Sequence, residues 1–294
     1  MSPPPSEDAQ EAPIPPERGG TPVPSPFACL ALTLGAWLVA RLTLDLVAPG
    51  AGVAPGLAAG LTLGLGVLGT LAARKVPEPA ERRLGLAAPE PRDFAWLILL
   101  LPLPLLLSEL DNLVVAWLGR PESDPAEPGR DPLDTLTWGL VLVGLRPVLE
   151  EFFFRGVLLQ GLVSGVGRWR GLLLDAWLFA LYRAAFFGSA YAAASLGGQA
   201  LVEGALLAAL RLATGSLLPG MVLHGTLAAL GLAAARWSGA PAVAGFNAPG
   251  AHTPPEILLP ALLVVGLGSA GILRAVRRAP PLPPIARRVA RDDG

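Results

Sequence analysis

The chain has 294 residues, of which 52% are hydrophobic and 15% charged, with mean hydropathy +0.54 and a formal net charge of −1. A soluble domain of this size needs more charge to cover its surface, so composition points to a membrane protein. The charge balance offers no basic excess for nucleic acid, and the lone Cys29 excludes an intramolecular disulfide.

Residues 1–26 (MSPPPSEDAQEAPIPPERGGTPVPSP) are rich in Pro and acids, cannot bury apolar surface and are expected to be disordered. They lack a basic start, and the apolar run after them is too long for a signal peptide. Crossing the hydrocarbon takes about 20 mostly apolar residues. Eight stretches qualify: 27–49, 52–73, 94–118, 135–163, 171–190, 197–213, 216–236 and 256–275. Stretches such as 97–107 (LILLLPLPLLL) have none of the polar face a soluble bundle would need. The expected fold is all-α, a polytopic membrane bundle of about eight transmembrane helices. It divides into N-terminal helices over 27–118, a core over 135–236, a last helix over 256–275 and a basic tail over 276–294.

Orientation follows from Lys and Arg in the short loops. The loop after the second span carries Arg74, Lys75, Arg82, Arg83 and Arg92. The next carries Arg120 and Arg130 among Glu122, Asp124, Glu127, Asp131 and Asp134. Arg168 and Arg170 follow the fourth span, and the tail holds Arg274, Arg277, Arg278, Arg287, Arg288 and Arg291. Basic loops alternate with acidic or neutral ones. Eight spans with both termini cytoplasmic satisfy that alternation, as expected for a bacterial inner membrane protein.

Charged groups at mid-bilayer cost about 2.5–3.5 kcal/mol each and mark functional positions. Span one carries the pair Arg41 and Asp45; span three carries Glu109, Asp111 and Asn112, at a vestibule or at the outer interface. Span four is the densest, reading Arg146-Pro147-Val148-Leu149-Glu150-Glu151-Phe152-Phe153-Phe154-Arg155-Gly156. On a helix Arg146 and Glu150, and Glu151 and Arg155, form i, i+4 pairs of opposite charge. The two acids point about 100° apart, so one can stay paired while the other faces a cavity. Span five sets Asp175, Phe179 and Arg183 on one face, and Arg183 needs a buried anion, with Asp175, Glu150 and Glu151 as candidates. Span six has Glu203 and Arg211 on one face, and span seven carries His224.

The segment Glu150-Glu151-Phe152-Phe153-Phe154-Arg155-Gly156 resembles the first motif (EExxxRG) of the CPBP family, the CAAX-type prenyl endopeptidases and bacteriocin-processing Abi proteins. Residues 204–224, with Thr214-Gly215-Ser216 before the His224 helix, resemble the approach to its last motif. The resemblance covers about 135–236 and implies a CAAX-protease-like bundle of α-helices acting as an intramembrane endopeptidase. Carried over, Glu150 is the general base, Glu151 pairs with Arg155 to orient the site, and His224 binds the oxyanion. Arg146, Phe179 and Arg183 support the site. The chain departs from the family at two positions: FxxxH reads Phe179-Ala180-Leu181-Tyr182-Arg183, and HxxxN reads His224-Gly225-Thr226-Leu227-Ala228.

No cofactor is expected. A zinc site would have Glu150, Glu151 and His224 as its nearby set, and Arg183 would repel the cation. The resemblance implies a membrane-embedded or lipidated peptide, prenylated or bacteriocin-like, as substrate, with the lipid bilayer as the other partner and no nucleic acid. Two further readings stand beside the peptidase. One is a catalytically inactive member that binds, confers immunity or scaffolds. The other is a transporter using the buried charges as an ion path.

Overall fold

The computed structural model describes residues 23–119, 132–186, 190–236, 241–248 and 250–281, without the side chains of 132–134, 235 and 236. The expectation for 1–22, the loop charges from Arg120 to Asp131, the Asp134 side chain and the tail arginines from Arg287 onward fall outside those residues. The described chain forms eight long helical segments: α1 (Pro26–Ala51), α2 (Val53–Ala73), α3 (Pro91–Leu118), α4 (132–166), α5 (Arg168–Ala184), α6 (Ala190–Thr214), α7 (Leu218–Arg236) and α8 (Pro255–Arg278). No strand forms among the described residues. The all-α polytopic architecture therefore holds. By length and composition α1, α2, α3, α6 and α8 suffice to cross a membrane; α4, α5 and α7 carry the charges or are shorter.

The ends shift where local chemistry overrides hydropathy. The helix α5 stops at Ala184, not 190, and α6 starts seven residues before the expected 197. A break at Leu101 and Pro102 interrupts α3, since Pro102 has no N–H to continue the ladder. The long α4 contains π-helical turns over Leu140–Leu145 and Glu151–Leu158, the second on the charged motif. Such bulges concentrate at functional sites because they re-aim side chains.

Exposed apolar side chains line the outside. Leu34, Leu38, Leu42 and Leu46 on α1, and Leu259, Leu262, Leu263 and Leu267 on α8, are all largely exposed. Contiguous apolar surface of that extent suits lipid.

Side-chain clamps define the two ends of the bundle. At one end Arg211 donates to the carbonyls of Arg82 and Arg83, and Leu86 bridges to Ser216. There Arg168 donates to the carbonyls of Val276, Ala279 and Pro280, and Gln160 reaches Val23 at the start of α1. At the other end Ser108 and Asn112 of α3 donate to Gly245, and Glu109 pairs with His252 at 2.7 Å and accepts from the Thr253 amide. Tyr191 and Ser195 of α6 donate to Asp111, while Arg41 reaches Phe186.

The first two helices cross at small residues. A Cβ on Gly60 would stand 2.5 Å from the Ala40 carbonyl oxygen, and one on Gly64 2.5 Å from that of Ala36. Neither contact leaves room for a side chain, the small-residue packing that holds helices together in lipid. Gly60→Val is therefore expected to cost about 1–3 kcal/mol by overpacking, read as a lowered thermal midpoint in detergent. Gly35→Ala, with nothing within 4 Å of the added carbon, is the matched control and is expected not to lower it.

Candidate active site

The site is built on the middle of α4. Arg146 bonds Glu150 at 2.9 Å, and Arg155 bonds Glu151 at 3.0 Å, as the i, i+4 spacing requires. Arg155 is fully buried and joins three helices. It reaches Asp175 of α5 at 3.4 Å, donates to the Gly204 carbonyl of α6 at 3.1 Å, and lies over the Phe179 ring at 4.3 Å. Guanidinium over an aromatic face adds attraction that strengthens away from water. On Gly204 a Cβ would meet Phe179 at 2.9 Å and Arg155 at 3.2 Å, so only Gly fits there.

From α5, Arg183 reaches the other oxygen of Glu150 at 3.2 Å, and its guanidinium lies 5.4 Å from the centroid of the Phe179 ring. Its anion is thus Glu150; Asp175 serves Arg155 instead. The helix α7 delivers His224. Gly215 has a positive φ of 72°, and the Ser216 hydroxyl accepts from the Leu218 amide to start α7. Two glycines let α7 approach α4: a Cβ on Gly220 would meet Glu151 at 2.8 Å, and one on Gly225 the Val143 carbonyl at 2.9 Å. His224 then stands amid three carboxylates. Nε2 is 3.5 Å from both Glu150 and Glu203, and Nδ1 is 3.5 Å from Glu151.

The residues assigned to the site from the motifs converge here: Glu150, Glu151, His224, Arg155, Arg146, Phe179 and Arg183. One expectation changes. Neither acid of the pair faces open space; Glu150 is 1% exposed and Glu151 fully buried. The adjoining cavity, of about 450 Å³, is lined instead by Arg146, Arg183, Glu203, His224, Ala228 and Asp111, with apolar walls. The Arg146 and Arg183 guanidinium groups, both paired with Glu150, line the cavity beside it.

Glu203 and Asp111 were not among the residues assigned to the site by their motifs. Both carried a signal, an acid inside an apolar helix, but nothing in a single chain says which helix faces which. Of the two locations open for the acids of α3, Asp111 takes the cavity, while Glu109 and Asn112 hold the 245–253 segment. His252 belongs to that outer end, away from His224.

Residues 132–230 match the family described as Type II CAAX prenyl endopeptidase Rce1-like. Over this segment the chain is similar to the CPBP, or CAAX-protease, family. Proteins of that family are intramembrane endopeptidases of the CAAX type, seated in a lipid bilayer. No curated protein and no solved structure matches the chain. The family segment opens with α4 and closes within α7, so it encloses every residue of the charge cluster except Asp111.

Removing Arg155 leaves Glu151 and Asp175 buried without their cation, a loss of about 3–5 kcal/mol. Arg155→Met is therefore expected to abolish recovery of folded protein by size-exclusion chromatography. Arg155→Met combined with Glu151→Gln and Asp175→Asn is expected to recover part of it, because no charge is then left unpaired.

Proposed function

We propose that this chain is a CAAX-protease family member that binds a membrane-embedded or lipidated peptide without cleaving it by a Glu150 mechanism. One observation carries this reading: both oxygens of Glu150 are held by guanidinium groups, Arg146 at 2.9 Å and Arg183 at 3.2 Å. A general base must offer a lone pair to water at about 2.6–3.2 Å. Here two permanent cations already bind that carboxylate and compete with water for it, and Arg183 cannot itself accept a proton. The second departure acts in the same direction. Ala228 lines the cavity where the family pattern places Asn, and one lost oxyanion donor costs about 10²–10³ in kcat.

The same donor set does not fit a divalent metal. The Glu150 oxygen nearest His224 is already bonded to Arg183, and two cations flank the position an ion would take. Among the described residues no three His, Cys, Asp or Glu side chains assemble as a metal cluster. No step of the proposed function runs through one.

Hydrolysis with Glu150 as base and His224 as electrophile is the second reading. The 3.5 Å contact between these two groups beside a cavity favours it. Orientation belongs to the proposal as well: the alternation of basic loops supports both termini on the cytoplasmic side of a bacterial inner membrane.

Reconstituted protein and a photo-crosslinkable reporter peptide, in plain and farnesylated forms, separate the readings. Wild type is expected to crosslink a reporter while cleaving it no faster than Glu150→Ala. Turnover is expected to appear in Arg183→His combined with Ala228→Asn, the variant that restores the family pattern. Wild-type cleavage that Glu150→Ala abolishes would overturn the binding reading, and wild type that neither crosslinks nor cleaves would overturn both.

A further inference from the structure

The charge cluster sits on the middle of α4, so its cavity could open to either end of the bundle. The lining residues decide which. From α3 they are Pro104, Leu107, Ser108 and Asp111, from the middle of that helix onward, and from α4 Leu142 and Arg146, before the acidic pair. From α7 the lining runs onward from His224 through Ala228 to Leu232, and Phe246 of the following loop completes it. Every one of these lies on the path from the cluster toward the end where Glu109, Asn112, Asp111 and Ser108 hold the 245–253 segment and Ser195. The opposite direction is closed. There Phe154 and Phe179 stack edge to face, Arg155 fills the space between α4, α5 and α6, and a Cβ on Gly156 would stand 3.3 Å from the Leu84 carbonyl oxygen.

The closed end is also the basic end. Arg74, Lys75, Arg82, Arg83 and Arg92 lie in the loop that bridges to Ser216, and Arg168 is clamped to the end of α8 beside Arg277 and Arg278. Basic loops of this length stay in the cytoplasm. We propose that the cavity opens on the extracytoplasmic side of the membrane, so that its ligands are peptide segments of exported or membrane proteins exposed there, not prenylated C-termini presented from the cytosol. The proposal rests on the reading of this cavity as a peptide site. The wall chemistry agrees: Leu227, Leu232, Leu107 and Phe246 give an apolar channel with Gln199 and Asp111 toward its outer end. That suits an extended segment leaving the bilayer.

Cysteine labelling tests it without substrate or turnover. Cys29 is fully buried and is the single native cysteine, so it gives a silent background that Cys29→Ala confirms. Leu232→Cys places a thiol in the outer part of the cavity, and Leu86→Cys places one on the exposed surface of the basic loop. With a membrane-impermeant maleimide, position 232 is expected to label in intact cells, and position 86 only in inverted vesicles. Labelling of 232 confined to inverted vesicles would overturn the proposal. So would labelling of 232 from neither side while 86 reacts in inverted vesicles, because the cavity would then have no aqueous mouth. A relocated mouth leaves the binding reading intact, and a failed crosslinking assay leaves the mouth where labelling finds it.

Discussion

A charge inside the bilayer has no water to fall back on, so each must find its partner in protein. That constraint organises the core of this molecule. Arg155 is the hub: its fully buried guanidinium donates to Glu151 and to the Gly204 carbonyl and forms an ion pair with Asp175, so it ties together three helices. The planar group also lies against Phe179. Moving any one of α4, α5 or α6 would break part of this arrangement and leave a carboxylate or a carbonyl unpaired. Leucine packing does not fix register this way, because lipid chains are as apolar as leucine.

The glycines follow from the same requirement. Short ion-pair distances demand close backbones, and Gly204, Gly220 and Gly225 are places where α6 and α7 approach α4 and α5 with no room for a side chain. The π-helical turns over 151–158 serve the same end. They widen the helix where Glu151 and Arg155 must meet each other and still reach neighbours on both sides. Local irregularity, small residues and buried charge are thus three aspects of one packing solution.

Much of this was legible in the sequence. Eight apolar runs foretold eight helical segments, and the i, i+4 pairs of span four were readable from spacing alone. Motif resemblance located the region that the family match covers. The pairing of Arg183 was not legible, because Asp175 sits two turns away on its own helix and Glu150 and Glu151 were equally open. Helical periodicity says which residues share a face, never which face meets another. Glu203 eluded assignment for that reason, as did the part Asp111 takes in the cavity. The early end of α5 was hidden too, since the apolar run continues past the residue at which the helix stops.

Arg183 also shows why a buried substitution has to be read with its surroundings. Where the family pattern has His, a side chain that can be neutral, this chain has one that is always charged. The acid it meets, Glu150, is already held by Arg146. Two cations on one carboxylate leave a positive excess, which in a low dielectric is costly unless another anion lies close. Glu203 supplies that anion. It lines the same cavity as Arg146 and Arg183 and lies close enough to Arg146 for their charges to interact. The acid on α6 and the arginine on α5 therefore make sense together: either alone would leave the cavity wall with an unmatched charge. A site built around such a pair matches its charges without water between them.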